Sequence, residues 1–170
     1  MIAATLRPPF ENAAKQDDVM SAANQDSVAA TLSGPNLCYC LAGRRSARFL
    51  TRLYERHLAP SGIKSSELSI LSFLILHPGM TLAELGGEME MERTTLLRTM
   101  KPIEAAGWVT TGPNVGRAKT FKVTPEGVAK VEEATPLWAA AQRAFELEVG
   151  SDVADRMRAM ANAVTARTAG

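Results

Sequence analysis

Cysteine is scarce in this chain. The 170 residues hold two, Cys38 and Cys40, which cannot build a disulfide framework. A structural zinc site takes about four ligands. Two cysteines with the distant His57 and His77 do not offer the usual spacings, so no metal is expected. Long apolar runs are missing too, since none approaches the roughly 18 residues of a membrane span. The opening, MIAATLRPPFENAAKQDD, has one arginine followed by proline and acids, unlike a secretory signal. A cytoplasmic protein without membrane contact is expected. An excess of one charge is also lacking. Lys plus Arg is 19 and Asp plus Glu is 18, for a net +1. That excludes a strongly basic nucleic-acid binder and leaves room only for a locally basic face.

Apolar residues make up 46% of the chain and charged residues 22%, which suits a packed core and argues against general disorder. The length suits one domain with an extension. Charge is uneven along it. Residues 37–60 carry Arg44, Arg45, Arg48, Arg52 and Arg56 against Glu55, a local +4. Residues 1–36 and 125–170 each net −2. Residues 1–36 are rich in Ala, Ser, Asn and Asp and poor in large apolar groups; they read as an N-terminal extension, expected to pack on a partner subunit.

The segment from Asn36 to Ala59 reads as a helix, with Leu37/Leu41, Phe49/Leu53 and Leu50/Tyr54 at i,i+4 spacing. Pro60 and Gly62 break it. A second helix follows, capped by Ser65 or Ser66, with Leu68, Ile70, Leu71, Phe73, Leu74, Ile75 and Leu76 expected to be buried nearly all round. Thr81 caps a short helix, LAELGGEM, whose adjacent glycines imply a tight turn or a close approach of another element. A further helix spans Glu92 to Ala106 and ends at Gly107. Pro102 is expected to kink it or end its regular part. The runs WVTTG and KTFKVT alternate about a Pro-Asn and Gly connection, a hairpin signal. Thr124 and Pro125 start a long helix reaching about Val149. Gly150-Ser151-Asp152 breaks it, and an Ala- and Met-rich helix closes the chain. A helix-turn-helix followed by a two-stranded wing is a DNA-reading arrangement.

The stretch MERTTLLRTMKPIEAAGWV (91–109) resembles the MarR family of winged-helix transcriptional regulators. Thr94, Thr95, Arg98, Glu104, Gly107 and Val109 fall in register with the family pattern. SGIKSSELSIL (61–71) and KVTPEG (122–127) resemble two further family stretches in the right order. The resemblance covers about residues 37–165. It implies a mainly α fold with a small β-hairpin wing: a winged helix-turn-helix lobe (61–124) on a helical dimerisation lobe (37–60 and 125–170), in a homodimer. One departure stands out. The family wing usually carries Asp-x-Arg or Asp-Arg-Arg, and here Val115-Gly116-Arg117 keeps only the arginine.

In this reading Arg93, Thr94, Thr95 and Arg98 enter a major groove of double-stranded DNA, and Lys101 meets phosphate. Arg117 and Lys119 belong to the wing and an adjacent minor groove. A solvated helix face and a solubilising loop are the plainer alternatives. Arg44, Arg48, Arg52 and Arg56 repeat every four residues and spiral over about 120° of a helix. This is a wet face, or else Arg44 or Arg48 pairs with a ligand carboxylate. The resemblance implies an aromatic carboxylate or phenol bound between the first helices and the winged-helix lobe, with Tyr54 and His57 as further candidates. Cys38 and Cys40 start the first long helix, where a thiol is more acidic. One branch of the family senses oxidant through such a cysteine, although Cys40 and Tyr54 lie about 21 Å apart on one straight helix.

No acid/base or nucleophile constellation emerges, so neither an enzyme nor a cofactor is expected. The leading expectation is a dimeric repressor on a pseudo-palindromic operator, released by a small effector resembling an aromatic or phenolic acid. A thiol-based redox regulator using Cys38 or Cys40 is the first alternative. A winged-helix module that binds protein and no DNA is the second.

Overall fold

The computed structural model describes residues 37–114 and 116–166. The extension at 1–36, Val115 and residues 167–170 lie outside the described residues, and so does the expected packing of the extension on a partner subunit. The described residues fall into two units, 37–47 and 48–114 with 116–166. The described part of the first is the opening turns of helix α1 (Tyr39–Leu58). The second holds the rest of α1 and a 3-10 turn (Ala59–Ser61). Next come α2 (Ser65–Leu76), α3 (Leu82–Glu88) and α4 (Arg93–Ala105), then strands β1 (Val109–Thr111) and β2 (Phe121–Val123). Helices α5 (Pro125–Val149) and α6 (Ser151–Thr165) complete it. This is the expected mainly α fold with a β-hairpin wing, a winged helix-turn-helix.

Two helix starts arise from local chemistry. The Thr81 hydroxyl accepts from the Glu84 N–H at 3.2 Å while the Glu84 carboxylate accepts from the Thr81 N–H at 2.7 Å, a complete capping box. The Thr124 hydroxyl accepts from the Gly127 N–H at 3.1 Å and donates to the Gly107 carbonyl at 2.7 Å. It therefore caps α5 and ties that cap to the end of α4. Gly107 adopts φ 74°. The Trp108 N–H donates to Ile103 O and the Gly107 N–H to Glu104 O, so α4 ends in a full Schellman motif. Gly150, at φ 86°, separates α5 from α6.

The main core gathers Leu58 of α1, Leu68, Ile70, Leu71 and Leu74 of α2, Leu85 of α3, and Leu96, Met100 and Ile103 of α4. Val109, Phe121 and Ala134 join it from the hairpin and α5. A second cluster joins Leu53, Phe145 and Ala154, and tucks α6 against α5 and the later part of α1.

Two expectations need correction, and one half of a third does not hold. Neither Ser65 nor Ser66 caps α2. Lys64 occupies the cap position, its N–H donating to Glu67 at 2.9 Å, while Glu55 of α1 accepts from both the N–H and the hydroxyl of Ser65. Burial of α2 is not all round, because Ile75 and Leu76 are exposed at its C-terminal end. Pro102 does not end α4, which runs on to Ala105. The helix loses one intrahelical donor there and keeps its core anchors Met100 and Ile103 on either side.

The adjacent glycines lie inside α3 without breaking it. A Cβ on Gly86 would stand 3.2 Å from Met91 O, so the expected close approach is real there, whereas Gly87 has open space. The turn itself falls later, at Glu90, which holds φ 49°. The Met91 N–H reaches back to Gly86 O at 2.9 Å and the Glu90 N–H to Gly87 O at 3.1 Å. This is a second Schellman motif, with glutamate in the left-handed position.

Candidate nucleic-acid interface

Helix α4 has two faces set by its sequence. Leu96, Met100 and Ile103 are buried, at spacings of four and three residues, which aligns them on one side. Away from that side Thr94, Leu97, Arg98 and Lys101 are exposed, and Arg93, the first residue of the helix and three before Leu96, is exposed at its N-terminal end. Thr95 is half-buried, and its carbonyl accepts the Thr99 hydroxyl at 3.0 Å. Of the predicted reading residues, Thr94, Arg98 and Lys101 therefore share an outward stripe, with Thr95 at its margin and Arg93 exposed at the helix start. Sequence reasoning missed Leu97. Its signal was present, because a second apolar residue directly after the buried Leu96 lies about 100° round the helix from it.

The acids nearby were also missed as a group. Glu84, Glu88, Glu90 and Glu92 are all exposed across α3, the turn and the cap of α4. The helix-turn-helix is thus not uniformly basic, and the cations Arg93, Arg98 and Lys101 belong to α4.

The wing is fastened to this body. Val109 pairs with Val123, Thr110 with Lys122 and Thr111 with Phe121. The ladder extends through Gly112 N–H to Thr120 O at 2.8 Å, and the buried Thr120 hydroxyl donates to Pro113 O at 2.7 Å. An isolated bridge joins Thr120 to Thr81 at the cap of α3. Arg117 and Lys119 are exposed on the connection beyond these ties. Lys130 of α5 holds the other side of the hairpin base. Its ammonium lies 5.5 Å from the Trp108 ring centroid and donates to Ser61 O at 3.0 Å and Glu133 at 2.7 Å.

A cleft of about 390 Å³ opens between α1, α2 and α5. Tyr54, Phe73, Leu76 and Trp138 give it apolar walls, and Ser65, Ser69, Ser72 and Thr135 give it hydroxyls. The hydroxyls of Ser69, Ser72 and Thr135 donate to the carbonyls of Ser65, Leu68 and Val131, and that of Ser65 donates to Glu55. What they have left for a ligand is acceptor lone pairs. The Tyr54 hydroxyl donates to Gln142, and burial holds its pKa above the ordinary phenol value. Of the predicted ligand residues, only Tyr54 lines this cleft. The described lining contains no arginine, lysine or histidine; Arg44 and Arg48 are exposed, and His57 is half-buried. Serines at 65, 69 and 72 along an otherwise apolar helix were the signal that could have found the site.

Cys38 and Cys40 are both exposed free thiols. Cys38 stands just before α1, and its sulfur accepts from the Leu41 N–H at 3.4 Å. Among the described residues no group of three His, Cys, Asp or Glu is placed to hold a metal ion. No helix among them is long and apolar enough to cross a membrane.

No family model matches the chain. The HTH-type transcriptional regulator YwoH of Bacillus subtilis (strain 168) is 33% identical over 90 residues, 52% of this chain and 66% of that protein. The chain thus spans just under two thirds of that relative's length. The M. tuberculosis transcriptional regulator MosR is 32% identical, with a TM-score of 0.69 over 81% of this chain and 100% of that one. A structure of MosR in complex with DNA matches at 32% identity and TM-score 0.65, over 76% of this chain and 97% of that one. A MarR family regulator from Rhodococcus sp. RHA1 shares the fold at 17% identity and TM-score 0.66, over 74% and 90% of the two chains.

Proposed function

The chain belongs to the MarR family of transcriptional regulators, and on that premise we propose that it is a homodimeric DNA-binding repressor in the cytoplasm. The observation that carries this reading is the outward stripe of Thr94, Arg98 and Lys101, with Arg93 exposed at the helix start, on a helix anchored by Leu96, Met100 and Ile103. Arginine pairs bidentately with guanine, threonine touches a thymine methyl or a phosphate, and lysine neutralises phosphate. The wing, bridged to the cap of α3, brings Arg117 and Lys119 toward the neighbouring minor groove. MosR, a relative at 32% identity, has been seen on DNA, which supports the reading. The winged lobe at 61–124 reads the operator, and the helices of 37–60 and 125–170 pair the subunits. A two-fold dimer implies a pseudo-palindromic operator with half-sites about 10 bp apart. No enzymatic step is assigned, in line with relatives that are regulators.

The chemistry of the cleft supports an effector class. Acceptor hydroxyls, aromatic walls and the absence of a cation in the described lining suit an uncharged aromatic that donates a hydrogen bond. A phenol fits, and a bare carboxylate does not. Binding would shift the spacing of the two lobes and release DNA.

The test is anisotropy of a labelled duplex from upstream of the protein's own gene. Expected are an affinity that falls steeply with salt and a loss of about ten-fold or more in Arg98→Ala. A neutral phenol should release the duplex and change the fluorescence of Trp138, and benzoate should do neither. Salt-independent or absent binding overturns the repressor. Release by benzoate alone overturns the effector class.

A second reading rests on the thiols. Cys38 is exposed, and its sulfur accepts a backbone N–H at the start of α1. Here hydrogen peroxide is the oxidant. Two thiols lose two electrons and two protons, one S–S bond forms, and the peroxide leaves as two waters. Release of DNA by peroxide in the wild type, lost in the Cys38→Ser/Cys40→Ser double variant, would favour it. Release that persists in the double variant would exclude it.

A further inference from the structure

One residue on the outer face of α4 is explained neither by the core nor by phosphate binding. Leu97 is 40% exposed, while its neighbour Leu96 is fully buried. Leu96, Met100 and Ile103 already anchor the helix, so Leu97 is not needed to hold it. It lies three residues after Thr94, next to Arg98 and four before Lys101. These spacings put the four side chains in one patch. Helical side chains lean toward the N-terminus, so Leu97 covers surface over the turn that begins near Thr94. That is the half of a recognition helix that enters the groove.

Scattered exposed leucines are ordinary on a protein surface, and the chemistry of this one's surroundings sets it apart. Leu97 has no hydrogen-bonding group and is ringed by residues that do. In a major groove, guanine, cytosine and adenine edges offer donors and acceptors, and thymine alone adds a methyl group. An isobutyl side chain against a polar base edge strips water from it and returns no hydrogen bond. Against a thymine methyl it buries apolar surface on both partners. The same side chain thus attracts one base and rejects three.

We propose that Leu97 is a specificity-determining residue, which packs on the C5 methyl of a thymine in each operator half-site. Thr94 and Arg98 flank it and set the register by polar contacts. This rests on the DNA-binding reading of α4 and adds the base that its centre selects. The neighbouring carboxylates Glu88, Glu90 and Glu92, all exposed, sharpen the selection. They repel phosphate, so contacts to base edges carry more of the affinity.

The experiment uses the full-length wild-type protein to select duplexes from a random-sequence pool. The tightest duplex is resynthesised with deoxyuridine replacing each thymine singly, which removes only the methyl group. Dissociation constants are measured for wild type and Leu97→Ala; the side chain is exposed, so the fold is unaffected. At one position per half-site, uracil should weaken wild-type binding about four-fold, the value of one buried methyl. Leu97→Ala should weaken binding to the thymine duplex and lose nothing further with uracil. Leu97→Met, which keeps an aliphatic contact, should retain the thymine preference. Independent, additive losses at every position would overturn the proposal while leaving the DNA reading intact. So would a selected half-site without thymine. Failure to enrich any duplex would overturn the DNA reading itself, and this inference with it.

Discussion

Gly127 is a point where a single methyl group has no room. A Cβ there would stand 2.2 Å from Trp108 O and 2.7 Å from Val123 Cγ1. The oxygen cannot step aside cheaply, because it accepts the Thr124 N–H at 2.9 Å. Alanine favours a helix interior over glycine by about 1 kcal/mol, and overpacking costs about 1–3 kcal/mol. With backbone as the obstacle, the clash wins. Gly127→Ala should lose about 2 kcal/mol, read from the urea midpoint. Gly87 is the internal control. It is helical, and nothing stands within 4 Å of its added Cβ, so Gly87→Ala should gain about 0.5–1 kcal/mol. If both substitutions move stability the same way, helix propensity rather than close packing governs these sites. The glycine of KVTPEG was legible only as part of a resemblance. Its reason, a backbone oxygen from a residue 19 positions earlier, is three-dimensional.

Helix α3 shows how an element can carry a pH dependence. Hydrogen bonds from the Thr81 backbone and hydroxyl to the Glu84 carboxylate hold its pKa below the ordinary value. A carboxyl group with a lowered folded pKa contributes stability that is present above its unfolded pKa, about 4.3. That contribution is lost as pH falls through the folded value. Wild type should therefore lose stability in acid faster than Glu84→Gln. The gap between their unfolding curves should be widest near neutrality and close in acid, whereas a gap that is constant with pH would show that the capping carboxylate is not involved. Elements of this kind were legible because their signals are local: Thr81 with Glu84, Thr124 with Pro125, and Gly107 after a helical run. Helix α2 was misread at its start because its first N–H finds Glu55, ten residues earlier on another helix. The cleft was missed for the same reason. Tyr54, Ser69, Thr135 and Trp138 come from three helices, and spacing along one chain does not reveal that meeting. The stripe on α4 was legible in its polar members, and Leu97 escaped because an apolar residue in a helix reads first as core.

At the scale of the whole molecule, the near-neutral charge of +1 asks how few bases can hold an operator. In the proposed reading, Arg93, Arg98 and Lys101 on α4, with Arg117 and Lys119 on the wing, would give one subunit a modest electrostatic hold among several acids. On the proposed dimeric reading, tight binding would come from two subunits acting together. Helix α6 offers the means. Among the described residues it buries only Ala154 and leaves Val153, Met160 and Val164 exposed. Leu147, near the end of α5, is 87% exposed. Such a face calls for a partner, and in a two-fold dimer that partner is the same face of a second copy. Linking two reading heads makes the second contact intramolecular and raises affinity by roughly 10²–10⁴ without any new contact to DNA. Met160→Glu combined with Val164→Glu puts like charges into that interface and leaves the reading helix unchanged. The double variant should sediment as a monomer. Its affinity for a full operator should fall by about 100-fold or more, to the value for an isolated half-site, while half-site affinity itself stays at the wild-type level. A dimer that survives the charges would assign the pairing to other surfaces. A monomer that still holds the full operator tightly would mean that one subunit suffices, and the two-fold reading of the operator would fall.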